Sequence, residues 1–129
     1  MKTLKFVFAA LIIAFLFTEC KYDFIVPEEV PIIDPNDPDA EQISFGNQIM
    51  PIFTTNDCTS CHKTGGRAPD LTIGKAYAAI NTIKYINTTT PEQSLIYTMP
   101  KPDGSHPKKY TASQAALLLA WIQQGAKNN

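Results

Sequence analysis

Metal-ligating side chains are scarce in this chain. Histidine occurs twice and cysteine three times in 129 residues, so a zinc site of four protein ligands has little to draw on. No apolar run is long enough to cross a bilayer, since residues 6–17 fall short of the roughly 20 that a helix needs. No alternating apolar and polar segment with hairpin signals argues for a sheet, and no segment repeats. No basic helix interleaved with stacking aromatics argues for nucleic acid. The formal net charge of −1 excludes little by itself, because it hides a division along the chain. Pro27, Pro31, Pro35 and Pro38 sit among acidic residues over 21–42, whereas residues 43–129 carry more lysine and arginine than acid.

The amino terminus sets the compartment. Lys2 and Lys5 precede the apolar run, the arrangement of a secretory signal, so export is expected. Cys20 follows that run, where it resembles the lipid-accepting cysteine of a bacterial lipoprotein. This implies a signal peptide over 1–19, lipid on Cys20, and a membrane-anchored protein facing the periplasm or the cell surface. Residues 20–42 read as an acidic, proline-rich tether, because prolines at this density block helices and ladders and like charges extend the chain. Residues 43–129 read as one domain.

What donors there are gather in one place. Cys58-Thr59-Ser60-Cys61-His62 is the only stretch in which cysteine and histidine crowd together. Two thiols three residues apart can each form a thioether to a vinyl-derived carbon of a porphyrin, and the adjacent imidazole then reaches the iron as proximal ligand. The same residues also suit a redox-active disulfide or half of a zinc site. A thioredoxin-type motif follows a strand and opens a helix, and nothing near Cys58 reads as a parallel strand. Zinc would need a further donor from a carboxylate or His106. Cysteine arithmetic favours haem: one thiol goes to lipid and two to haem, leaving none over in an exported protein, where free thiols usually pair.

The domain pattern is a handful of short helices. Phe45, Ile49, Ile52 and Phe53 recur at helical spacing, with Pro51 expected to break that helix. Asp70 to Thr72 are expected to cap a helix over 73–83, with Ile73, Tyr77 and Ile80 on one face. Thr90-Pro91-Glu92-Gln93 reads as a helix start, and the helix ends before Pro100. Thr111 and Gln114 have capping-box spacing ahead of a last helix that carries Leu118, Trp121 and Ile122 and stops at Gly125. A domain this small sits near the lower limit for a self-supporting core, so a further source of stability is expected, and haem would supply it.

Taken in order, Ile49-Met50-Pro51-Ile52-Phe53, the Cys58 to His62 pentad, Ala68-Pro69-Asp70-Leu71, Met99-Pro100 and Trp121-Ile122-Gln123-Gln124-Gly125-Ala126 span nearly the whole domain. In these residues the chain resembles the small class I-like single-haem cytochromes c, especially the membrane-tethered ones of Bacteroidetes-type bacteria. The resemblance implies an all-α fold: a small cytochrome c-like domain of short helices around one covalently bound haem c. First and last helices would cross, and a methionine from a later loop would be the distal iron ligand. Met99, held ahead of Pro100, is the expected distal ligand and His106 its rival, while Met50 reads as core. In similar cytochromes a proline after the haem motif offers its carbonyl to the proximal imidazole, which here points to Pro69 behind His62. Trp121 is expected where the terminal helices meet, with Gly46 allowing close approach.

With both axial positions filled, the expected role is single-electron transfer and not enzymatic turnover. The contrasting readings are a five-coordinate haem enzyme acting on peroxide or another small molecule, and a haem-bearing accessory subunit of a larger redox complex. The basic domain suits protein redox partners of acidic character, and no nucleic acid is expected.

Overall fold

The computed structural model describes Asp34, Asp37 and residues 39–129. The expected signal peptide over 1–19, the lipid site Cys20 and most of the 20–42 tether lie outside the described residues. Among the described residues the ordered elements are helices and none is a strand, so the domain is all-α. None of these helices is long and apolar enough to cross a membrane. A π-helical turn, Phe45–Ile49, leads into α1 (Met50–Thr55), followed by α2 (Ala76–Ile80), α3 (Leu95–Thr98) and α4 (Ala112–Gln123).

Pro51 explains the unusual start. It lacks an N–H, and in regular α geometry its ring collides with the carbonyl four residues back. The turn before it is widened, with Ile49 N–H donating to the Ser44 carbonyl and Met50 N–H to the Phe45 carbonyl. The expected broken helix is thus a π-to-α junction, and it buries Phe45, Ile49, Met50, Ile52 and Phe53.

The two middle helices are shorter than their sequence pattern suggests. Gly74 adopts a left-handed φ of 82°, which delays α2 until Ala76 and leaves Ile73 80% exposed. Asp70 does not cap that helix. Pro91–Gln93 forms only a 3-10 turn, because Ser94 is extended at ψ 127° and restarts the chain as α3. The Ser94 hydroxyl is spent on the 81–90 loop, where it accepts the Asn87 N–H at 2.9 Å.

Helix α4 follows its pattern closely. Thr111 accepts the Gln114 N–H, Gln114 accepts the Thr111 N–H, and Gly125 ends the helix at φ 94°. Its buried face, Leu118, Trp121 and Ile122, packs with Ile49, Phe53 and Ile80 to form the centre of the core. The Trp121 ring lies 5.4 Å from that of Phe45, and its Nε1 donates to the Lys127 carbonyl at 2.9 Å. Gly46 serves a different contact from the one expected: its N–H donates to the Asn129 carbonyl, and a Cβ there would meet that oxygen at an ordinary 3.7 Å. At the tether junction Gln124 accepts the Ile43 N–H and donates to the Glu41 carbonyl, so the last residues before the domain are pinned to α4.

Candidate functional site

The cysteine pair lies on a 3-10 turn, Cys58–Ser60, directly after α1. Asp57 precedes it at φ 51°, a left-handed conformation that aspartate tolerates better than most residues. Cys61 N–H and His62 N–H both donate to the Cys58 carbonyl, which winds all three site residues onto one turn. Cys58 is buried, Cys61 is exposed, and neither is in a disulfide. Burial pushes the Cys58 thiol up, the reverse of the shift that activates an attacking cysteine. Among the described residues no group of three His, Cys, Asp or Glu side chains is arranged to hold a metal ion by itself.

The chain beyond His62 folds back upon it. Arg67 N–H donates to the Cys61 carbonyl and Leu71 N–H to the His62 carbonyl, each at 2.9 Å. Gly66 is required by this closure, since a Cβ would lie 2.4 Å from the Cys61 carbonyl oxygen. The returning strand of loop sets the Pro69 carbonyl 3.2 Å from His62 Nδ1. Asp70 secures that position: it accepts the Thr64 hydroxyl at 2.6 Å, the Thr72 hydroxyl at 2.5 Å and the Thr72 N–H at 3.1 Å. These hydrogen bonds hold the Asp70 carboxyl down at about 2.

A second loop, between α3 and α4, closes the opposite side. Met99 caps α3, and its sulfur lies 3.6 Å from the Ser105 hydroxyl. His106 N–H donates to the Met99 carbonyl at 2.9 Å, and His106 Nδ1 lies 2.9 Å from the Lys108 carbonyl. Lys108 Nζ reaches back to the Asp57 carboxylate, to the Asp57 carbonyl at 2.8 Å and to the Ser60 hydroxyl at 3.2 Å. The loop that carries His106 is therefore tied to the turn that carries the cysteines.

Between the two loops lie adjoining cavities of about 660 and 910 Å³, including their open mouths, with Cys58, His62, Met99 and His106 on the walls of both. Leu71, Leu95, Ile96 and Tyr110 line the inner one, while Cys61, Arg67 and Lys108 stand at the outer one. Leu95 and Met99 on these walls are each 41% exposed. Paired thiols and an imidazole whose Nδ1 lies beside a carbonyl thus stand on the walls of a largely apolar cleft. Every expected domain-site residue, Cys58, Cys61, His62, Pro69, Met99 and His106, belongs to this one cleft.

Sequence reasoning overlooked Gly104, Lys108 and Tyr110. Tyr110 is buried on the cleft wall with its hydroxyl donating to the Ile96 carbonyl, and burial raises its phenol strongly. Its place immediately before the Thr111 cap, where an apolar residue commonly packs against the helix it precedes, was a usable signal. No family model, curated protein or solved structure matches the chain.

Proposed function

We propose that this chain is a single-haem c-type electron carrier. The observation that carries the reading is the Pro69 carbonyl 3.2 Å from His62 Nδ1, beside the paired cysteines and facing an apolar cleft. A carbonyl at Nδ1 fixes the tautomer, leaves Nε2 as the donor and strengthens it as an iron ligand. Cys58 and Cys61 would supply the thioether sulfurs and His62 the proximal ligand, with Met99, or alternatively His106, available as the second ligand. Haem held by these residues would supply one-electron chemistry. Leu71, Leu95, Ile96 and Tyr110 would offer haem an apolar wall, while Cys61 stands exposed.

Arg67 on the cleft wall and the excess of lysine and arginine over acid in residues 43–129 suit an acidic redox protein as partner. The carrier is exported and held at a membrane through lipid on Cys20, a reading that rests on the sequence of residues 1–20. Expression of the full chain with export and haem-ligation machinery tests the whole proposal. A pyridine haemochrome of two-thioether type, with one haem per chain, is the expected result. Mature protein without haem overturns the proposal, and loss of labelled fatty acid in Cys20→Ser tests the anchor separately.

A further inference from the structure

Resting on that reading, we infer that the distal ligand is His106 and not Met99. The His62 and His106 rings line the same cavities with centroids 5.8 Å apart and planes 35° from parallel. Two imidazoles sharing one metal ion from opposite sides, each bonded at roughly 2 Å, stand about 6 Å apart centre to centre. The observed spacing is close to that value before any ligand is considered.

The surroundings of the two rings match. His62 Nδ1 lies 3.2 Å from the Pro69 carbonyl, and His106 Nδ1 lies 2.9 Å from the Lys108 carbonyl. In both, the backbone occupies Nδ1 and leaves Nε2 for a metal, as is usual for a ligating histidine. His106 Nδ1 is also 3.2 Å from the Lys108 N–H, so the neutral ring has two arrangements. A metal at Nε2 selects the one in which Nδ1–H donates to the Lys108 carbonyl.

The loop is shaped to hold this ring. Its approach depends on Gly104, where a Cβ would lie 2.2 Å from the Met99 carbonyl oxygen and 2.5 Å from that of Thr98. On its far side Tyr110 N–H donates to the Pro100 carbonyl at 2.7 Å, and Lys108 fastens it to Asp57 and Ser60. Met99 is engaged otherwise: its carbonyl positions the His106 backbone, and its sulfur accepts the Ser105 hydroxyl. It is a positioning residue in this scheme. Paired histidines also set a lower reduction potential than histidine with methionine.

The test uses the full chain matured with haem and reads spectra, with no activity assay. Pyridine haemochrome first establishes covalent haem, and its absence overturns the underlying function reading and this inference with it. Given haem, the ferric protein is expected to be low-spin without the far-red band of methionine-ligated iron, and Met99→Leu is expected to leave that spectrum unchanged. His106→Met should introduce the band and raise the reduction potential. A native far-red band that disappears in Met99→Leu, or a His106→Met spectrum identical to the native one, overturns the assignment to His106 while leaving the electron-carrier reading intact.

Discussion

At Gly104 the main chain passes so close to Thr98 and Met99 that one methyl group cannot be admitted. Gly104→Ala must push the 101–109 loop outward and carry His106 with it. Overpacking of this kind costs about 1–3 kcal/mol, so we expect a lower melting temperature and, in haem-loaded protein, a partial change from low-spin to high-spin iron by absorption spectroscopy. Asp70 makes a second residue-scale prediction. Its carboxyl is held at about 2 against an ordinary 3.8, so the stability it adds is complete above the ordinary value and is lost as pH falls toward about 2. Denaturant midpoints measured from neutrality down into that range should fall less steeply for Asp70→Asn than for the native chain. Both residues are visible in the sequence, yet only one announces its role: Asp70 stands in a motif, whereas Gly104 matters because the loop turns back onto the Thr98 and Met99 carbonyls.

At the level of elements, local chemistry governs α4 and tertiary contacts govern the rest. The capping box at Thr111 and Gln114, the buried stripe and the Gly125 stop all agree, so this helix was legible residue by residue. Thr111→Ala removes the side-chain acceptor for the Gln114 N–H and is expected to cost about 1 kcal/mol, readable as a lowered denaturation midpoint. Trp121→Ala empties the centre of the core beside Phe45 and should cost about 3–5 kcal/mol. Helices α2 and α3 were read as longer than they are. A single residue delays each start, through the left-handed backbone at Gly74 and through a hydroxyl at Ser94 committed to Asn87, and Asn81 at ψ 59° ends α2 early. Periodicity reports which residues favour a helix, and it is silent about a side chain recruited by another loop.

For the whole molecule, the core reaches the cleft: Cys58, Leu71, Ile96 and Tyr110 belong to both, and Leu95 and Met99 on the cleft wall are 41% exposed. A domain of this size has little stability in reserve. Chain purified without haem is therefore expected to melt with reduced cooperativity and diminished near-ultraviolet circular dichroism relative to the haem-loaded form. Full native helicity and an equally sharp transition without haem would contradict this dependence. The excess of lysine and arginine over acid in residues 43–129 further predicts electron exchange with an acidic partner that slows as ionic strength rises, measurable by stopped-flow.

The sequence alone determined the chemistry available to this protein. Covalent spacing places two thiols and an imidazole within five residues, and helical period with its caps makes the domain all-α, because these depend on neighbours along the chain. Only the tertiary structure decided which groups meet across it. The Pro69 carbonyl reaches His62 because Gly66 and Asp70 close one loop, and the His106 ring comes opposite because Gly104 and Lys108 close another. The first closure is local in sequence, whereas the tie from Lys108 to Asp57 spans 51 residues and is encoded by no local spacing of residue types.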